Sequence, residues 1–554
     1  MNKLFVVILI FIFSSFACGQ LPEYSNGAIS SANELATKAG IDVLQKGGNA
    51  IDAAVAVGFV LAVVYPQAGN IGGGGFMVIH LSSGLNTSID YREKAPSNAQ
   101  RNMYLDNSGN VIPGLSTTGN LAAGVPGSVA GMLYALEKYG TKSIYEILGY
   151  SVNIADTGFY INKQLADNLN AYSNEFSMFE GTRKIFGKNF NEGELLVQKD
   201  LANTLKEIRD NGVKGFYEGR IADIIVSEMI KTGGIINHDD LRNYRPVERE
   251  PITGTYRNFQ IYSMGPPSSG GISLIYLLNI LENYDLKKYG YGSTKSIHLM
   301  TEAMRRVYAD RSEFMGDADF VNVPADILTS KVYAQRRMED YSENIATPSS
   351  MVSPGDAYYK ESDQTTHYSV ADKNGNIVSV TTTINDLFGN KAVVDGAGFF
   401  LNNEMDDFVS KPGVPNIYGL VGSEANSIEP GKRMLSSMTP TIIFKNNKPF
   451  LVLGSPGGGR IITAVLQTII NIIDHEMTLD AAIDISRFHH QWLPDEIQTE
   501  KGFPVNDVKE ELVKMGYKIK ELNNFGRIDA VIFNKNGSMS AYSDSRGSGK
   551  ALGF

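Results

Sequence analysis

Residues 365–384 commit the middle of this chain to a β-hairpin, and through it to an antiparallel sheet. Ser369-Val-Ala-Asp372 and Ile377-Val-Ser-Val-Thr-Thr-Thr-Ile384 are rich in β-branched residues. They flank Asp372-Lys-Asn-Gly-Asn376, whose Gly375 suits the left-handed position of a tight turn. A three-residue loop, Lys373 to Gly375, pairs position 372 with 376, so facing positions sum to 748 and Thr383 falls opposite Thr365. A two-residue loop would instead set Thr366 against Thr383. By local pattern Thr365, within Asp363-Gln-Thr-Thr-His-Tyr-Ser369, is a strand start. If the Gln364–Thr365 bond is cut, the same residue carries a hydroxyl nucleophile and an α-amine base with a reference pKa near 8, and no histidine is required.

Elsewhere helices and strands alternate. Helical periodicity appears around 142–150, 199–209, 220–232, 296–311, 460–474 and 506–515, with strand patterns near 76–81, 369–384, 440–453 and 529–533, which predicts mixed α and β layers. Ser31-Ala-Asn-Glu34 has the form of a capping box opening a helix that stops near Gly47-Gly48, and Asn49 to Val64 reads as a second, buried helix. Its apolar stretch, Ala53 to Tyr65, is shorter than the roughly 20 residues that cross a membrane.

The first 20 residues form an export signal: Met1-Asn-Lys3, an apolar run from Leu4 to Phe13, then small residues to Gln20. Cys18 is the only cysteine, so no internal disulfide is possible. Ser15 fits a lipid-attachment pattern poorly, so a periplasmic or secreted product is expected, with a lipid anchor on Cys18 as the alternative. A net charge of −10 over 554 residues argues against nucleic acid as a partner.

Competing chemistries fail on spacing. His475-Glu-Met-Thr-Leu lacks the second histidine of a zinc helix, and Arg546-Gly-Ser-Gly-Lys550 lacks the leading glycine of a phosphate loop. Pro267-Ser-Ser-Gly270 lacks the frame of a hydrolase elbow. His489 and His490 beside Trp492 read as packed structure, and Gly72-Gly-Gly-Gly75 as close packing.

A set of long motifs instead follows one order. Tyr91-Arg-Glu-Lys-Ala-Pro96, Asp363-Gln-Thr-Thr-His-Tyr-Ser369, Leu401-Asn-Asn-Glu-Met-Asp-Asp-Phe408, Lys411-Pro-Gly-Val-Pro-Asn-Ile-Tyr-Gly419, Leu435-Ser-Ser-Met-Thr-Pro440, Gly454-Ser-Pro-Gly-Gly458 and Arg487-Phe-His-His-Gln-Trp492 make the chain resemble the γ-glutamyltranspeptidases, self-processing N-terminal-nucleophile hydrolases. The resemblance implies a four-layer αββα sandwich built from two autoprocessed pieces, 21–364 and 365–554. It implies a γ-glutamyltransferase and glutathione hydrolase without metal or cofactor. The donors would be glutathione and other γ-glutamyl compounds, and the acceptors water, amino acids or peptides. A related acylase or poly-γ-glutamate depolymerase is the rival within the enzyme class; a processed but inactive surface binding protein is the rival outside it.

Roles follow from the resemblance residue by residue. Thr365 is the nucleophile and Thr383 its hydroxyl partner; Gly457 and Gly458 supply oxyanion-hole amides. Arg92, Ser436 and Ser437 hold the substrate α-carboxylate, while Asn385, Glu404 and Asp407 hold its α-ammonium. The chemistry agrees: a guanidinium offers a planar donor fork, hydroxyls add donors without charge, and consecutive glycine amides at a helix N-terminus attract anions. Taken singly, Arg92 reads as a surface ion pair and Asn402–Phe408 as a solvated acidic loop. Lys411 to Gly422, with Tyr418, is expected to cover the site.

Overall fold

The computed structural model describes residues 21–354, 365–411, 414, 416–417, 424–523 and 526–554. The strands of its two central sheets are β1 (Gly27–Ser31), β2 (Gly74–His80), β3 (Asn86–Asp90), β4 (Val247–Arg249), β5 (Ile252–Tyr256), β6 (Phe259–Ser263), β7 (Thr366–Asp372), β8 (Ile377–Thr383), β9 (Thr441–Lys445), β10 (Lys448–Gly454), β11 (Asp529–Phe533), β12 (Met539–Ser543) and β13 (Lys550–Gly553). The larger sheet runs β13-β1-β7-β8-β2-β3-β4 and the smaller β12-β11-β10-β9-β6-β5. Every pairing in both is antiparallel.

Helices α1 (Glu34–Gln45) and α2 (Ala50–Val64) cover the outer face of the larger sheet. Helices α3 (Gly270–Leu281), α4 (Thr294–Phe314) and α5 (Gly459–Ile473) cover the smaller one. This is the expected αββα sandwich, and the strand period of two builds it. Along β2, Met77 and Ile79 turn to the helices while Phe76 and Val78 turn to the second sheet. Both faces of the larger sheet are therefore buried.

The hairpin register is the three-residue-loop one. Ile377 faces Ala371 and Thr382 faces Thr366, so each pair sums to 748 and Thr365 comes opposite Thr383 one step on. Gly375 takes φ 87°, which the turn requires. Asp372 also ties the turn to the helix layer, since its Oδ2 accepts from the Ala50 amide at 2.9 Å.

One cap differs from expectation. α1 starts after Asn33, whose side chain accepts from the Leu35 amide; Ser31 is the last residue of β1 and its hydroxyl meets Thr37 at 2.7 Å. Strand pairing fixed Ser31 first, leaving the cap to the next competent side chain. At α2 the capping box is Asn49 with Asp52.

The two pieces expected from cleavage are interleaved. β1 lies between β7 and β13, and β9 of the second piece pairs with β6 of the first. A break before Thr365 would leave both sheets intact, held by ladders and cores that cross the cut.

Candidate active site

Thr365 sits at the open end of the hairpin, 7 % exposed, just before β7. Thr383 ends β8, and its Oγ1 accepts from the Asn385 amide at 2.7 Å. The chain then turns sharply: Asn385 has φ 70°, a left-handed position that asparagine tolerates better than most residues. Asn385 Nδ2 donates to the Asn403 carbonyl at 2.9 Å, tying the end of β8 to the 402–408 segment. The glycine run behind it is close packing, as expected. A Cβ on Gly73 would lie 2.0 Å from the Thr383 carbonyl, and one on Gly72 2.1 Å from that of Phe400.

Under Thr365 the facing sides of the two sheets are polar. His367 bonds Thr381 at 2.9 Å and Ser369 at 3.0 Å, and Ser369 Oγ donates to the Asp529 carbonyl of the other sheet. Burial, with Arg527 nearby, pushes the His367 pKa down to about 3, so the ring is a neutral structural bridge. Arg527 reaches Tyr65 at 3.0 Å and the Thr366 hydroxyl at 3.4 Å. This seam pins Thr366, the residue beside Thr365.

Of the residues expected to hold a donor, Arg92, Glu404 and Asp407 come together, and they are buried rather than at the surface. Arg92 is 1 % exposed, Glu404 0 % and Asp407 5 %. Arg92 Nη1 lies 2.7 Å from Glu404 Oε2, and Nη2 pairs with Asp407. The same guanidinium donates to the carbonyls of Met434 at 3.2 Å and Leu435 at 3.0 Å, immediately before Ser436 and Ser437. Burial pushes the Glu404 carboxyl up, while Arg92, Asp407 and Thr383 pull it back. The Thr383 hydroxyl, opposite Thr365, thus adjoins the Glu404 carboxyl.

Ser436 and Ser437 are both buried, beside the N-terminus of α3. The Ser437 hydroxyl accepts from Arg311 at 3.0 Å, and the Ser436 carbonyl accepts from Ser268 and Ser269. Gly457 (φ 126°) and Gly458 (φ 54°) form the turn from β10 into α5, with Gly458 at the N-cap. A Cβ on Gly454, at the end of β10, would lie 2.4 Å from the His367 ring, so this turn emerges at the Thr365 end of the hairpin.

Three supporting residues carry no sequence signal of their own. Glu93 is fully buried, 3.6 Å from Arg92 Nη1, and neither of its carboxylate oxygens has a hydrogen-bond partner. Burial, then Glu404, holds its carboxyl well above the usual range. Asn426 joins the Asp407 carbonyl to the Leu435 amide, and Arg311 holds Ser437. A charged residue inside a core-facing pattern is the only hint, and it applies to Glu93 and Arg311 alike.

The export segment 1–20, residue Gln364 and most of the expected cover 411–422, Tyr418 included, lie outside the described residues. Among the described residues no helix is long and apolar enough to cross a membrane, and no group of three or more His, Cys, Asp or Glu could hold a metal.

Known proteins share this layout and sequence. The family profile described as gamma-glutamyltranspeptidase matches residues 36–554. A glutathione hydrolase proenzyme of Escherichia coli is 49 % identical over 524 residues, 94 % of this chain and 90 % of that protein. A crystal structure of Helicobacter pylori gamma-glutamyltranspeptidase is 51 % identical with TM-score 0.58, covering 59 % of this chain and 94 % of that one. A cephalosporin acylase structure from Bacillus halodurans has TM-score 0.87 at 25 % identity, covering 99 % of both chains. From its motifs, its sandwich and these likenesses, the chain belongs to the γ-glutamyltranspeptidase family.

Proposed function

We propose that this chain is an exported γ-glutamyltransferase and glutathione hydrolase that matures by cutting its own Gln364–Thr365 bond. One observation carries the reading: Thr365 heads a strand opposite Thr383, and Thr383 adjoins a buried pocket in which one guanidinium faces carboxylates. In maturation the Thr365 Oγ attacks the Gln364 carbonyl carbon, the C–N bond breaks, and the nitrogen takes the proton as the new α-amine. Water then hydrolyses the ester, releasing a light chain of 190 residues (554 − 364).

In turnover the α-amine takes the Thr365 hydroxyl proton as Oγ attacks the γ-amide carbon of the donor. The Gly457 and Gly458 amides face the developing oxyanion, and the amine leaves with the proton. The γ-glutamyl ester passes to water or to an amino-acid or peptide amine. Arg92, Ser436 and Ser437 take the donor α-carboxylate; Asn385, Glu404 and Asp407 take its α-ammonium.

The likeness to a cephalosporin acylase favours one rival, an acylase on the same frame. A charged pocket suits a zwitterionic donor and penalises an uncharged acyl group, because Arg92 would then be the single cation facing Glu93, Glu404 and Asp407. The test is intact mass together with turnover of a chromogenic γ-glutamyl anilide. Wild type is expected as two chains with burst release; Thr365→Ala is expected as one chain, with activity down at least about 10⁴-fold. An active, uncleaved wild-type chain would sink the mechanism.

A further inference from the structure

Trp492 is the only tryptophan in the sequence, and it stands at φ 67°, a left-handed backbone that a bulky side chain adopts only when its surroundings impose it. What surrounds it is the stretch of chain leading toward the cleavage point. The indole Nε1 donates to the carbonyls of Ser349 and Val352, both at 3.0 Å. In return the Ser349 hydroxyl donates to the Trp492 carbonyl at 2.6 Å, and the Ser349 amide to Asp495 Oδ2 at 2.8 Å. Arg305 of α4 closes the ring by pairing with both the Ser349 hydroxyl and Asp495.

This grip is built into the core. Ser349 is 2 % exposed and Val352 4 %, whereas Met351 between them is 73 % exposed, so the segment is held by its backbone, the Ser349 hydroxyl and the buried Val352 side chain. His490 Nε2 lies 3.3 Å from Asp495 Oδ1, and His490 Nδ1 accepts from the Trp492 amide at 3.1 Å. Arg337 holds the next carbonyl, Ser353, at 3.1 Å. Trp492 and Asp495 lie in the piece after Thr365, and Ser349 to Ser353 in the piece before it.

We propose that Trp492, Asp495 and Arg305 form a clamp that positions the upstream arm of the chain for self-cleavage. Trp492 and Asp495 are positioning residues for that step and take no part in turnover of the mature enzyme. The inference rests on the self-cleavage reading above. For Thr365 Oγ to meet the Gln364 carbonyl, that carbonyl must approach from one side, and Gln364 is only the twelfth residue after Val352. Were the arm to leave Arg337 as well, it would be set next by Thr347, whose amide donates to Glu302 Oε1 at 3.2 Å. The run before Thr365 would then grow from 12 residues to at most 17 (364 − 347). By loop-closure entropy alone this slows the meeting of its ends about twofold. A slowing well beyond twofold therefore reports direction rather than length.

The experiment follows conversion of freshly produced full-length chain into two pieces by intact mass, for wild type, Trp492→Phe, Asp495→Asn and the double variant. Trp492→Phe keeps an aromatic ring in place, though a smaller one, and removes the indole donor. The double variant is expected to convert at least about tenfold more slowly, while fully converted protein turns over the chromogenic γ-glutamyl anilide within about twofold of wild type. Conversion of the double variant within about twofold of wild type overturns the clamp. So does an equal loss in conversion and turnover, which would mean general damage. Should the double variant not fold, Ser349→Ala, which removes one hydroxyl, is read by the same two rates. A wild-type chain that never converts sinks the self-cleavage reading and the clamp with it, a result distinct from a defect confined to the variants.

Discussion

Two of the buried clusters of arginine and carboxylate among the described residues are built to opposite balances. Around Arg92, one guanidinium faces Glu93, Glu404 and Asp407. Around Arg487 and Arg546, two guanidiniums face Asp544 and Glu500: Arg487 pairs with Asp544 at 2.6 Å, and Arg546 with Glu500 at 2.7 Å and Asp544 at 3.0 Å. Backbone amides complete the second cluster, with Arg487 N donating to Glu500 and Ile528 N to Asp544. The titration directions follow. Asp544 is held below its ordinary pKa by its arginines although burial opposes them, whereas burial wins at Glu93 and Glu404 and pushes both up. A balanced cluster is finished structure; a cluster short of positive charge gains on meeting an ammonium group. The same residue types thus serve packing in one place and, in the function proposed, recognition in the other.

The sharpest way to break this contrast is to remove one carboxylate from each cluster. Asp544→Ala removes the carboxylate that neutralises the buried Arg487 and is expected to cost about 3–5 kcal/mol of stability, read as a fall in the urea midpoint. The donor KM of whatever folds should stay within about threefold. A large KM change with unchanged stability would mean that the second cluster is also a binding site.

Asp407→Ala should do the reverse. It should still cut itself, since maturation involves only the bond before Thr365, yet lose at least about a hundredfold in kcat/KM, or roughly 2.7 kcal/mol. Arg92 remains paired to Glu404 in this variant, so the stability loss should be smaller than that of Asp544→Ala. Near-normal turnover would remove the zwitterionic donor and move the acylase reading ahead.

Glu404→Gln is the mildest probe. Both side chains accept a hydrogen bond, but only the glutamate adds charge, so the donor KM should rise about tenfold or less at neutral pH. Its pH dependence carries the sign. The folded carboxyl titrates above 4.5, so its stabilising charge on the donor is lost as pH falls through that raised value, and the wild-type KM should climb on the acid side. Stability runs the other way: a raised carboxyl pKa favours the fold at low pH and penalises it as pH rises, so Glu404→Gln should relieve that penalty at neutral pH. A variant whose KM keeps the wild-type acid limb would assign that limb to another group.

Much of this was written locally. The turn at Asp372–Asn376 and the β-branched runs beside it determined the hairpin and narrowed its register to two pairings one residue apart; the folded ladder takes the one that sets Thr383 against Thr365. The glycine run at 72–75 declared a close approach that the structure makes against the Phe400 and Thr383 carbonyls. Where two local signals competed, as at Ser31, the sequence could not say that strand pairing would prevail and leave the cap to Asn33.

Burial and partnership were decided only by the tertiary structure. Taken singly, Arg92 and the 402–408 segment have the composition of solvated surface, and what places them inside is a pairing between residues 315 positions apart. The same holds for the grip of Trp492 on Ser349, across 143 positions, and for Glu93, whose neighbours are set by the packing of Gly74 and Gly124 against it. The physical reason is one of range. Turn geometry, strand period and capping act over a few residues and can be read in order along the chain. The balance of charge in a buried cluster depends on which distant segments the two sheets bring together.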